Sequence, residues 1–378
     1  MLILWICAGA AAFYFLQTWI YARFWKKGLS ARLYFSRESA TEGEECCLVE
    51  QVENGKLLPL PVLKVKFQVS RKLHFSGEGD SAVSDQYYRN DILSMGPRQR
   101  VTRRLPFRCG ARGYYRINGL DLVCSDLFLG NEMVEELEEN SSLYVYPAPV
   151  GGFELDRALQ KLNGEILAKR HLLEDPFEYR GIREYAPFDE RKAINWKATA
   201  RMGTLMVNMR NYTSLQAVRI FLNLEDNGIW RQEELVELCI RIAARIAQML
   251  LGQGIRVAVY CNAKDILTGR PMRLPPSSGA GQMESINRAL ARLNLEEEVD
   301  GFAHLFAKEL EDGRKEMMSV FLSVDRSAAF QNLLETYLAS GAEGIWMCPL
   351  LPRMESEVEK PEKLNFIRLN AEELLNGA

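Results

Sequence analysis

The densest concentration of residues able to do chemistry runs from Tyr179 to Arg201. Here Arg180, Arg183, Arg191, Lys192, Lys197 and Arg201 surround Asp189, with Tyr185, Asn195 and Trp196 among them. A carboxylate set among guanidinium groups forms charge-assisted pairs, two-pronged where the planes align, so Asp189 can engage Arg183, Arg191 or Arg201. The expectation is a structural staple in which Trp196 packs beneath the ion pair, since an indole is usually core. A docking surface for a protein partner is the sharper use of the same residues. A second group of acids, Glu225, Asp226 and Asp325, stands where apolar runs end. Apposed carboxylates whose pKa values are pushed apart perform acid and base work, so a carboxylate- or metal-dependent hydrolase is the alternative reading.

Other chemistries find little support. His74, His171 and His304 share no motif, and the eight cysteines fall in no C-x-x-C or Cys/His cluster. Scattered thiols in a chain of 378 residues suit a reducing compartment, where free cysteine is a small buried hydrophobe. There is no phosphate-binding G-x-x-x-x-G-K-S/T loop and no recognisable nucleophile paired with a base. The formal net charge is -3, and Glu178, Glu184, Asp189 and Glu190 offset the arginines locally, so nucleic acid is not the expected partner.

The elements that must position these groups fall into four stretches. Residues 1–32 form an anchor and its basic flank. From Leu2 to Ala22 no residue is charged, and helical rise gives that length roughly 32 Å, about the hydrocarbon thickness of a bilayer. Trp19 and Tyr21 are interfacial aromatics, and Arg23, Lys26, Lys27 and Arg32 follow at once, so the positive-inside rule places the remainder in the cytoplasm.

Residues 33–150 read as a small antiparallel β-sandwich. Leu63-Lys64-Val65-Lys66-Phe67-Gln68-Val69 alternates strictly, and similar short runs recur at 46–52, 101–107, 114–117, 120–123 and 143–146. The acidic run from Asn131 to Asn140 is expected to be a solvated loop or edge. Residues 151–212 are a connector, helical at first on the spacing of Leu155, Leu159 and Leu162. Residues 213–378 alternate strand and helix, with strands at 218–224, 255–261, 318–324, 344–348 and 365–369, which predicts a doubly wound, mostly parallel sheet. Ligands of such sheets sit where loops leave the carboxyl ends of the strands.

Arg183, Tyr185, Asp189, Arg191, Ile194, Trp196, Ala200 and Arg201 resemble, in order and spacing, the signature of the domain of unknown function 58 family. In this sequence Phe188-Asp189 stands for the family's Gly-Asp, and Asn195 for its Asp before Trp. Arg112-Gly113-Tyr114-Tyr115, Ser125-Asp126-Leu127-Phe128 and Val145-Tyr146-Pro147 are similar to further family segments. The resemblance implies a membrane protein with a von Willebrand factor A-like domain, often encoded beside a MoxR-type ATPase, and no established enzymatic activity. The expected function is therefore a non-enzymatic interaction module held at the membrane by residues 2–22. A metal-binding domain of that kind presents D-x-S-x-S after its first strand, whereas this chain has Asn223-Leu224-Glu225-Asp226-Asn227. No cofactor is expected; Asn223, Glu225, Asn227 and Asp325, with Asp226 and Ser277 or Ser278, are the oxygens left for an ion such as Mg²⁺.

Overall fold

The computed structural model describes the chain apart from residues 1, 76–85, 173, 188, 190, 213–216, 227–231, 312–316, 353, 355–364 and 377–378. It forms two compact units, Met1–Ala148 and Pro149–Ala378.

The first unit begins with α1 (Leu2–Phe24), a helix long and apolar enough to cross a membrane. Up to Leu16 its described side chains are exposed. Beyond that, Gln17, Tyr21 and Trp25, one turn apart, are buried, while Trp19 stays 61% exposed. Nine strands follow: β1 (Leu29–Phe35), β2 (Ser39–Thr41), β3 (Glu45–Asn54), β4 (Leu60–Ser70), β5 (Leu73–Phe75), β6 (Gln86–Met95), β7 (Gln99–Cys109), β8 (Gly113–Ser125) and β9 (Glu132–Tyr146). They make a four-stranded sheet β1-β3-β7-β5 and a five-stranded sheet β2-β9-β8-β4-β6.

One core lies between the two sheets. Leu33, Leu48, Val52 and Phe107 enter it from the first sheet, and Leu63, Val65, Leu122 and Val145 from the second. The alternation read in β4 holds, with Leu63, Val65, Phe67 and Val69 all inward. Pairing is antiparallel except between β2 and β9. That parallel pair covers only Tyr144–Tyr146, which leaves the acidic start of β9 as a sheet edge. Carboxylates along an exposed edge discourage pairing with another chain.

In the second unit α2 (Phe153–Leu172) turns Leu155, Leu159 and Leu162 into the core. A hairpin of β10 (Glu174–Glu184) and β11 (Met206–Tyr212) encloses a short 3-10 turn at Arg191–Ala193 and α3 (Trp196–Met202). Neither strand nor helix was legible there, because charge rather than period dominates the segment.

The α/β part then runs β12 (Val218–Asn223), α4 (Glu233–Gly252), β13 (Val257–Lys264), β14 (Pro271–Ser277), α5 (Ala280–Ala291), α6 (Phe302–Glu311), β15 (Met318–Ser323), α7 (Ala328–Ala339), β16 (Glu343–Leu350), β17 (Asn365–Asn370) and α8 (Ala371–Asn376). The sheet order is β14-β13-β12-β15-β16-β17, and only β14 runs antiparallel. Every residue of β12 and β15 is buried, as strands covered on both faces must be.

All eight cysteines are free, and all but Cys7 and Cys47 are buried. Burial pushes the Cys109 and Cys348 thiols up to about 12, so neither is a ready nucleophile.

Candidate functional site

From β12 the chain passes to β13 on one side, and later to β15 on the other, so the carboxyl ends of β12 and β15 flank a topological switch point. The polar groups there are tightly organised. Asn262, fully buried at the end of β13, accepts the Leu224 amide on Oδ1 (2.9 Å) and donates from Nδ2 to Asn223 Oδ1 (2.9 Å). Asn223 Oδ1 also accepts the Glu225 amide at 3.0 Å. Glu225 Oε2 receives the Phe302 amide at 3.0 Å. Asp325, just past β15, takes the Ser327 amide on Oδ1 at 2.9 Å and the Ser327 hydroxyl on Oδ2 at 3.2 Å. Ser327 in turn caps α7 by accepting the Phe330 amide. Asp226 accepts the Gln232 amide.

Burial raises the Glu225 carboxyl above its ordinary value; the Phe302 amide opposes this and the nearby Asp325 charge adds to it. The two acids therefore sense each other, although both have oxygens fixed by backbone amides.

These contacts bear on a cation. Asn223 Oδ1 already accepts two N–H groups, which occupies both of its lone pairs. Glu225 and Asp325 keep free lone pairs. Ser277 is paired with Val257 at the amino end of β13, so Ser277 and its neighbour Ser278 stand at the end of the sheet opposite Asn223. The expectation that either serine joins this group is corrected by that antiparallel strand, which the sequence reading did not contain. Asn227 lies outside the described residues. Among the described residues no three His, Cys, Asp or Glu side chains converge on a common point.

Sequence reasoning also missed Asn262 and Ser323, which are fully buried, and the exposed pair Ile266 and Leu267. Asn262 was discoverable as the polar residue closing the apolar run Val257–Cys261. The Ile266–Leu267 pair sits in the turn after β13, at the same carboxyl end. There Asp265 accepts the Leu267 and Thr268 amides at 2.8 and 3.2 Å and is bridged by Arg292 at 2.8 Å.

The Arg-rich segment forms a separate structure. Arg183 grips Asp189 with both terminal nitrogens at 2.6 Å, and Asp189 Oδ2 also accepts the Ala186 amide at 2.8 Å. The Asp189 carboxyl is held below its usual range, first by Arg183 and then by the Ala186 amide. Arg191 and Arg201 are exposed and do not reach it. Trp196 is 68% exposed, so the expected indole beneath the pair is absent. The reason is local: Asn195 follows the Ile194–Val207 bridge and caps α3 by accepting the Ala198 amide (2.9 Å), which puts Trp196 at the first helical position, facing outward. Asn195 Nδ2 donates to Asn208 Oδ1 at 2.7 Å, and the Tyr185 amide donates to Leu205 O at 2.8 Å, tying the insert to β11.

The stretch from the Arg183–Asp189 clamp through the Asn223–Asp325 network is continuous in sequence. Residues 181–331 match the family described as protein of unknown function DUF58. The DUF58 match thus begins in β10 and ends in α7, taking in both groups of residues. The upstream segments lie before it and have evident structural work. The Tyr115 hydroxyl donates to Ala111 O at 2.7 Å, and a Cβ on Gly113 would meet that ring at 2.9 Å. No curated protein matches the chain. Among solved structures it is similar to a non-cellulosomal cohesin from the archaeon Archaeoglobus fulgidus, with 13% identity over 31% of this chain and 91% of that one and a TM-score of 0.22. It is also similar to a cohesin module of a family 33 glycoside hydrolase from Clostridium perfringens (9% identity, 29% and 97% coverage, TM-score 0.21). A PapD-like domain of human CEP192 is a third (17% identity, 32% and 87% coverage, TM-score 0.19).

Proposed function

We propose that the chain is a membrane-anchored, non-enzymatic interaction module. In this reading α1 spans the membrane and the two units lie at its cytoplasmic face, as Arg23 in its last turn and Lys26, Lys27 and Arg32 beyond it favour. The DUF58 region is von Willebrand factor A-like and presents the loops at the carboxyl end of its sheet to a soluble partner, a MoxR-type ATPase. Support for the fold comes from the strand order and the switch point between β12 and β15.

The observation that carries the docking role is the pairing of a braced polar floor with an exposed apolar tip. Asn223, Asn262, Glu225 and Asp325 each accept a backbone amide near the strand ends, while Ile266 and Leu267, in the turn after β13 at the same end of the sheet, remain 47% and 49% exposed. Asp265 holds that turn through the Leu267 and Thr268 amides, and a pre-ordered apolar anchor loses little entropy on docking.

The test is crosslinking of the anchored chain in its native membrane, comparing wild type with Leu267→Asp, Asn223→Ala and Asp189→Ala. Loss of ATPase capture with Leu267→Asp, in a protein that still folds, is the expected result. Undiminished capture by both Leu267→Asp and Asn223→Ala moves docking away from the sheet and ends this reading.

The hydrolase alternative draws on Glu225, whose raised pKa and proximity to Asp325 suit acid and base roles. Hydrolysis by the purified chain that disappears in Glu225→Gln, with capture unaffected, would favour it.

A further inference from the structure

The loop between β8 and β9 does not point away from the anchor. Phe128 packs its ring edge-on against Phe13 at 6.2 Å and tilted against Tyr14 at 5.8 Å. A Cβ on Gly130 would lie 2.8 Å from the Tyr14 hydroxyl, so the loop backbone itself rests on the helix. Asp126, fully buried, anchors the loop by accepting the Gly130 amide (2.9 Å), the Asn131 side-chain amide (3.0 Å), the Gln17 amide (3.3 Å) and the Thr18 hydroxyl (3.5 Å). One turn further along α1, the Tyr21 hydroxyl donates to Pro59 O at 2.9 Å. Contacts at Phe13, Tyr14, Gln17 and Tyr21 fix the helix against the sandwich, so the depth of the helix sets the depth of the loop.

With α1 spanning a bilayer, that depth would lie below the headgroups. Tyr14 lies nine residues before Arg23 and five before Trp19, which is roughly 14 Å and 8 Å along the helix axis. The tip facing it is apolar: Leu127, Phe128 and Leu129 are 47%, 54% and 62% exposed. Leu129 adopts a left-handed φ of 58°, which turns three consecutive large apolar side chains outward in one tight loop. The one charge of the loop, Asp126, has its acceptor sites filled, as a carboxylate near hydrocarbon requires.

We propose that Leu127, Phe128 and Leu129 form a second membrane-inserted element, buried among lipid acyl chains alongside α1. The inference rests on α1 spanning the membrane. The sandwich is then seated in the bilayer surface rather than suspended above it, and its height and tilt are fixed by two points of entry.

The experiment uses the full chain in liposomes of phosphatidylcholine with alkyne-tagged acyl chains. The photoreactive residue p-benzoylphenylalanine replaces Phe15, Phe128 or Arg116 in turn. Arg116 is exposed and nine residues up β8 from Ser125, about 30 Å at strand rise. The expected result is lipid labelling at position 128 comparable to that at position 15 and roughly tenfold above position 116. Labelling at 15 without labelling at 128, or capture at 128 of a polypeptide alone, overturns the insertion while leaving the span intact. Equal labelling at 116 and 128 also overturns it. No labelling at 15 overturns the spanning reading and this inference with it.

Discussion

The Gln17 side-chain amide donates to the buried Asp126 carboxylate at 3.3 Å across 109 residues of sequence. This contact joins the apolar helix to the β8–β9 loop, and it accounts for a polar amide side chain at position 17. Removing the carboxylate leaves the Gly130, Asn131 and Gln17 donors facing one another without an acceptor. Asp126→Ala is therefore expected to destabilise the first unit by about 1–3 kcal/mol, with Asp126→Asn losing less. Thermal unfolding of the full chain in nanodiscs measures it, and an unchanged midpoint for Asp126→Ala would show the loop to be held by its apolar contacts alone.

Glu50 supplies a pH dependence. It is buried inside the sandwich, where burial and then the Asp91 charge push its carboxyl up to about 7, against the opposing pull of Arg103 and Arg89. Because the folded state holds this proton more tightly than the unfolded chain, whose carboxyl sits near 4.5, Glu50 favours folding below pH 4.5. The benefit fades as pH rises and is gone above about 7. Glu50→Gln mimics the protonated form, so it should stabilise the protein at pH 8 by on the order of 2 kcal/mol and flatten the slope between pH 5 and 8. Urea midpoints at the two pH values test this; parallel curves for wild type and variant would contradict it.

Trp196 and the Arg183–Asp189 clamp should separate when mutated. With 68% of its surface exposed, Trp196 contributes little to folding, and Trp196→Ala should change stability by less than about 0.5 kcal/mol. Asp189→Ala releases both Arg183 and the Ala186 amide and should speed hydrogen exchange at Ala186. Loss of ATPase capture by Trp196→Ala would assign the DUF58 signature a docking surface of its own.

Gly344 tests the packing of the central sheet. A Cβ there would stand 2.8 Å from Phe321 Cε2 and 3.3 Å from Ser319 O, and Phe321 is itself stacked on Phe221 at 5.1 Å. Gly344→Ala should lower stability by about 1–3 kcal/mol. Gly164→Ala, within α2 and with nothing inside 4 Å, should raise it by roughly 0.5–1 kcal/mol. Chemical denaturation of both variants decides, and a harmless Gly344→Ala would mean that Phe321 moves freely.

Much was legible where a residue's neighbours in sequence decide its state. The uncharged run of α1, the alternation in β4 and the helical spacing of Leu155, Leu159 and Leu162 in α2 are local patterns, and each appears as a built element. The β14 strand was not legible: with Pro271, Pro275 and Pro276 it has poor strand chemistry, and its edge position tolerates them. Nor was the Arg183–Asp189 segment, whose geometry depends on β11 returning to pair with β10.

The sequence by itself determined the apolar N-terminal helix, the change from period two to period 3.6 near residue 150, and which acids end apolar strands. These follow from short-range periodicity and charge. Only the tertiary structure decided which guanidinium Asp189 holds, that Trp196 faces outward, that Ser277 stands at the far end of the sheet from Asn223, and that Phe128 rests on α1. Strand order and direction set those relations by bringing distant segments within a few ångströms, and neither is written in the spacing of residues along the chain.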